Sequence, residues 1–123
     1  MVNGYYFCAP TTPENYRREV AWCCMQCAAP TTKGDLYYYF KEHDLTGKID
    51  KFDTSRCPVY LLTGDYDPTS SVEDTLELAN QIKGSVFIEM KEMSHAGMAE
   101  NPPVFKKYLM PILDEIAKLS DKF

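Results

Sequence analysis

Asp67 and His95, 28 positions apart, are the two residues of this sequence whose types and surroundings fit acid–base chemistry. Asp67 closes the segment Gly64-Asp65-Tyr66-Asp67 directly after one apolar run. His95 lies in Met93-Ser94-His95-Ala96-Gly97 directly after another. A carboxylate hydrogen-bonded to one imidazole nitrogen fixes the ring tautomer and stabilises the imidazolium formed when the other nitrogen takes a proton from a nucleophile. The pair therefore fits an orienting acid and a general base. Either residue alone has a plainer reading, since aspartates after strands form turns and a histidine before a helix can cap it. Asp65 reads as a solvated turn residue two positions before the acid.

One known setting for the third participant in such chemistry is a serine on a Gly-x-Ser-x-Gly turn between a strand and a helix, and the sequence contains no such pattern. Its serines are Ser55, Ser70, Ser71, Ser85, Ser94 and Ser120. Ser94 adjoins His95, but neighbours in an extended segment point opposite ways, which argues against a surrogate nucleophile. The cluster Cys23-Cys24-Met25-Gln26-Cys27 holds one C-x-x-C without a second Cys/His pair at metal-site spacing, so thiols on a helix face are expected rather than a metal or redox centre. His43 is the one candidate to join those thiols. Its run Lys41-Glu42-His43-Asp44 reads as surface.

The elements that must position Asp67 and His95 follow from periodicity. Pro58 to Thr63 is a short apolar run bounded by Pro58 and Gly64, the pattern of a strand covered on both faces. Ser71 caps a helix with Val72, Leu76, Ala79 and Ile82 on one face, closed by Gly84. Ser85 to Met90 is a second strand. Asn101-Pro102-Pro103 starts a final helix with Phe105, Leu109, Ile112, Ile116 and Leu119 inward, interrupted and kinked at Pro111. Strand, helix, strand, helix predicts a parallel pair with a right-handed crossover, and places both loops beyond the carboxyl ends of the strands. Upstream, Thr12 and Pro13 predict a helix start, with Tyr16, Val20, Cys23, Cys24 and Cys27 on its apolar face and Ala28-Ala29-Pro30 at its end. Leu36 to Phe40 is too uniformly apolar to separate helix from strand; Asp35 as a cap favours helix.

Composition bounds the function. The 123 residues are 45% hydrophobic and 25% charged, as expected of one soluble globular domain. No apolar run approaches the roughly 20 residues that span a bilayer, and Met1-Val2-Asn3-Gly4 lacks the features of a signal peptide, so a cytoplasmic protein is expected. Net charge is −5 and the 13 basic residues form no cluster, which disfavours nucleic acid as a partner. Five cysteines are an odd number, and reduced thiols are the expectation.

The segment Cys57-Pro58-Val59-Tyr60-Leu61-Leu62-Thr63-Gly64-Asp65-Tyr66-Asp67 resembles the α/β-hydrolase family's penultimate-strand segment, where Gly-x-x-Asp presents the catalytic acid. Ser94-His95-Ala96-Gly97-Met98-Ala99-Glu100-Asn101-Pro102 is similar to the family's Gly-His segment, which leads through Glu-x-Pro into the last helix; Ser94 departs from the usual glycine. The resemblance covers residues 56–116, and the upstream stretch resembles the family's helical cap more weakly.

This likeness implies an α/β fold with a cap-like helical segment at 1–56 and a C-terminal βαβα portion at 57–123, with Asp67 as catalytic acid and His95 as base. It implies hydrolysis of an ester, amide or related acyl bond in a small-molecule substrate, with no cofactor or metal and with the nucleophile outside this chain. Tyr37, Tyr38, Tyr39 and Phe40 would line an apolar substrate pocket or form core. The chain alone is expected to be inactive, and to self-associate or join a nucleophile-bearing N-terminal half, because one edge of its first strand is left unpaired. The alternative is a truncated, non-catalytic hydrolase remnant acting as an interaction or oligomerisation module.

Overall fold

In the computed structural model, which describes residues 4–120, the two apolar runs become β1 (Tyr60–Gly64) and β2 (Val86–Met90), paired in parallel. The register sets Tyr60 opposite Val86 and Gly64 opposite Met90. Both strands thus end at the same level, and the loops that follow leave side by side. A parallel pair requires a crossover. Here α3 (Val72–Gln81) supplies it, started by the Ser71 hydroxyl, which accepts the Asp74 N–H at 3.0 Å. Glu73 and Asp74 in its first turn suit the positive end of the helix. After α3 the chain turns into β2 through Gly84, whose φ of 83° is open to glycine at little cost. The fold is therefore mixed α/β with a two-stranded parallel sheet among the described residues.

The remaining elements precede and follow this unit in the chain. A 3-10 turn (Gly4–Phe7) precedes α1 (Glu14–Met25); α2 (Ala29–Tyr37) runs on into a π-helical turn (Tyr38–Glu42), and a further 3-10 turn covers Ile49–Lys51. The single-turn helix α4 (Gly97–Glu100) leads into α5 (Pro102–Ser120). Buried apolar residues come from α3 (Ala79), its end (Ile82), β2 and its loop (Met90, Met93) and α5 (Ile112), with Ala9 and Val20 from the N-terminal part. The core thus reaches both ends of the sheet, with Ala79 and Ile82 beside Ser85 just before β2 and Met90 and Met93 at its carboxyl end. The Tyr108 hydroxyl accepts the Lys91 N–H at 2.9 Å, fastening α5 to the end of β2. No helix among the described residues is long and apolar enough to cross a membrane.

Several local expectations need correction. Thr12 does not cap α1: Pro13 stands at the cap position with no side-chain bond, and the Thr12 hydroxyl donates to Glu100 instead. A distant buried acceptor has outcompeted the helix end. Cys23 and Cys27 are exposed, so the inward face of α1 is narrower than its spacing suggests. Pro30 opens α2 rather than only closing α1, since a proline is tolerated in a first helical turn. Asp35 accordingly lies inside α2 and caps nothing. Helix α5 is uninterrupted through Pro111, with Ile116 largely exposed. The first strand is not covered on both faces: Tyr60, Leu61 and Leu62 are only half-buried.

Candidate active site

The Gly64–Asp67 turn and the Met93–His95 loop are zipped together by main-chain bonds. Asp65 N–H donates to Met90 O at 3.1 Å and Tyr66 N–H to Met93 O at 2.9 Å. Asp65 is no idle turn residue, for its carboxylate accepts the Met93 N–H at 3.3 Å. The approach is so close that a Cβ on Gly64 would lie 2.2 Å from Met93 O. Only glycine fits there. On the other side, the buried Thr63 hydroxyl donates to Ser70 O at 2.8 Å and ties the turn's far end to the strand.

Across this junction Asp67 Oδ2 lies 3.1 Å from His95 Nδ1, with Oδ1 at 3.3 Å. The Asp67 side chain is 8% exposed and that of His95 50%. Burial pushes the Asp67 carboxyl up, but hydrogen bonds from the Thr69 N–H and hydroxyl, the Ser70 N–H and His95 outweigh it and hold the group below its ordinary value. Those bonds fall on Oδ1, from Thr69 N and Oγ1 at 2.8 Å each and Ser70 N at 3.1 Å. Thr69 Oγ1 is also 2.7 Å from His95 Nδ1. The consistent arrangement has the Thr69 hydroxyl donating to Asp67 and the Nδ1–H donating toward Asp67 and Thr69 oxygens. Nε2 then carries the lone pair, and it has no hydrogen-bond partner among the described residues. A neutral imidazole so held can accept a proton from a group placed against it.

A buried carboxylate supports the base loop from behind. Glu100 is fully buried; its Oε1 accepts the Ser94 N–H, and its Oε2 accepts the Ala9 N–H at 2.6 Å and the Thr12 hydroxyl at 2.8 Å. Ala96 N–H donates to Phe7 O at 3.2 Å, and the Phe7 ring packs against the His95 ring with centroids 5.4 Å apart. Arg17 braces the same N-terminal segment through Nη2 bonds to the carbonyls of Ala9, Pro10 and Thr12. The helical N-terminal part is thus fastened directly to the loop that carries His95.

Other reactive groups are placed elsewhere. Ser94 is buried and donates its hydroxyl to Tyr66 O at 2.9 Å, so it faces the acid's turn rather than His95 Nε2. Burial and then Glu100 push the Cys8 thiol up to about 11, the opposite of what an activated nucleophile requires. His43 is exposed, stacks on Tyr38 and shares a hydrogen bond with its hydroxyl at 3.1 Å. Among the described residues, no three His, Cys, Asp or Glu side chains converge as a metal site would require. A cavity of about 820 Å³ lies beside Phe7, between α1 and α2, with Cys24, Met25, Cys27, Lys33 and Leu36 on its wall. Tyr37, Tyr38, Tyr39 and Phe40 do not line it; they are exposed.

Thr69 escaped the sequence reading although its signal was present. Asp67-Pro68-Thr69-Ser70 is a turn pattern in which an aspartate accepts from the backbone two and three residues on. Glu100 and Phe7 carried no comparable local sign as supports of His95, because their partners lie about 90 residues away in sequence or depend on tertiary packing. No family model, curated protein or solved structure matches this chain.

Proposed function

We propose that this chain supplies the acid and base of a serine-type acyl hydrolase of the α/β-hydrolase kind, with Asp67 orienting His95 and the nucleophile contributed by residues outside it. The observation that carries the proposal is the buried Asp67 carboxylate on His95 Nδ1, which leaves Nε2 open at the carboxyl ends of two parallel strands. In the reaction, His95 takes the proton of a serine hydroxyl as it attacks an ester, amide or related acyl carbon. It then returns that proton to the leaving group. Asp67 remains ionised and stabilises the imidazolium. The substrate is a small acyl compound, and neither cofactor nor metal enters the scheme.

Among the described residues no serine or cysteine is bonded to His95 Nε2, so the chain by itself is expected to hydrolyse p-nitrophenyl esters no faster than its His95→Ala variant. Recovered from its native cells with whatever it binds, it is expected to show saturable hydrolysis that His95→Ala removes. Saturable, His95-dependent turnover by the isolated chain would instead place the nucleophile within it.

A second reading has its own observation in favour. Both strands have an unpaired edge among the described residues, and Leu76, Val86, Leu113 and Ile116 are exposed. That surface suits a non-catalytic remnant that self-associates or covers a partner. Assembly without any His95-dependent hydrolysis would favour this reading over the first.

A further inference from the structure

The cavity beside Phe7 has a chemistry distinct from the Asp67–His95 pair. At about 820 Å³ it falls within the roughly 300–1,000 Å³ of sites for small organic ligands. Phe7, Met25, Leu36 and the Cys24 and Cys27 side chains give it an apolar, polarisable wall. Burial and the neighbouring Cys27 and Cys23 push the Cys24 thiol up, so that part of the wall stays uncharged. Lys33 is the charged residue on the lining, and it forms no ion pair among the described residues. Lys33 is exposed and keeps its water beside a neutral occupant, while it repels a cationic one. An anion would replace that water with a charge-assisted hydrogen bond.

We propose that the cavity binds a single-tailed amphipathic carboxylate, its tail against Phe7, Met25 and Leu36 and its carboxylate on Lys33. The occupant would touch the ring that packs against His95, so occupancy is read at the imidazole through Phe7. Binding of this kind stands whether or not the chain takes part in hydrolysis.

Calorimetric titration of the full chain with hexanoate, octanoate, decanoate and dodecanoate, each below its micelle-forming concentration, tests the proposal. One ligand per chain is expected, with Kd tightening about three- to fourfold for each added methylene until the cavity is filled. Lys33→Met is expected to weaken the carboxylates at least several-fold and to leave the matching alcohols unchanged. Leu36→Trp, which fills the cavity, is expected to abolish binding of both. The imidazole proton resonances of His95 should move on saturation, through the displaced Phe7 ring. Should Leu36→Trp fail to fold, the Lys33→Met comparison still decides, because Lys33 is exposed.

Equal affinity for alkylammonium ions, indifference to Lys33→Met, or many equivalent ligands per chain would overturn the proposal in favour of general apolar adsorption. Loss of carboxylate binding alongside intact His95-dependent hydrolysis removes the cavity proposal alone. Carboxylate binding alongside absent hydrolysis removes the hydrolase reading alone.

Discussion

Asp67 Oδ2 and His95 Nδ1 meet at 3.1 Å because Gly64 and Met90 are register partners, which brings the loops after β1 and β2 to one place. Thr69 sits between the two, bonded to Asp67 Oδ1 and touching Nδ1. Asp67, Thr69 and His95 therefore act as one hydrogen-bonded unit, and perturbing any member should be felt by the others.

Removing the Thr69 hydroxyl is expected to raise the pKa of Asp67, since that hydroxyl is among the groups that lower it. Thr69→Val should show the rise in a carboxyl-carbon NMR titration, and Thr69→Ser should largely restore the original value. An unchanged Asp67 titration in Thr69→Val would show that the hydroxyl is not its donor.

Acid sensitivity follows from the same carboxylate. The folded-state pKa of Asp67 lies below its ordinary 3.8, so its ionised form contributes stability that is full above the unfolded value. That contribution is lost as pH falls through the lower, folded value. The stability difference between the wild-type chain and Asp67→Asn should therefore shrink as pH falls below about 4. Urea midpoints measured from about pH 5 down to 2 check this, and a difference that grows over that range would reverse the assigned sign.

Glu100 holds three donors with one buried carboxylate, so truncating it leaves buried N–H and hydroxyl groups unmet. Glu100→Ala is expected to destabilise the chain by several kcal/mol, since each buried donor left unmet costs about 1–3 kcal/mol. The milder Glu100→Gln should loosen the Ala9–Thr12 segment and remove the carboxylate that helps hold the Cys8 thiol near 11. Cys8 alkylation, followed by mass spectrometry at pH 8, should be slow in the wild-type chain and faster in Glu100→Gln. Equal rates in both would detach Cys8 from this network.

Half-buried β1, two open strand edges and the exposed apolar residues of α3 and α5 predict association in solution. Light scattering coupled to size exclusion at micromolar concentration should give a mass above 14.1 kDa, or a broad peak. A sharp monomer peak with concentration-independent thermal unfolding would show that the N-terminal helices close the core unaided.

The strands, their crossover and the last helix were legible because their apolar periodicity and their punctuation by Pro58, Gly64, Ser71 and Gly84 are local properties. The placement of Asp67 against His95 was legible for the same reason, as both follow strand ends. What stayed hidden depends on contacts distant in sequence. Thr12 looks like a helix cap until Glu100 claims its hydroxyl. Pro30 reads as a stop until the following nine-residue helix shows it is a start. The cavity is built from thiols and Leu36 rather than the aromatic run, because the end of α2 and the π-helical turn after it leave Tyr37 to Phe40 exposed to solvent.

In the proposed hydrolase reading His95, oriented by Asp67, activates a serine outside this chain. Fluorophosphonates react with serines made nucleophilic by an adjacent base, so their labelling reports that activation. Tagged chain recovered from its native cells should carry a labelled serine in material bound to it. Labelling should be abolished by His95→Ala and slowed by about 10⁴-fold by Asp67→Asn, if the pair works as an acid–base relay of the Ser-His-Asp kind. Labelling that proceeds at the same rate in His95→Ala, or its absence from the wild-type assembly, would contradict the assignment.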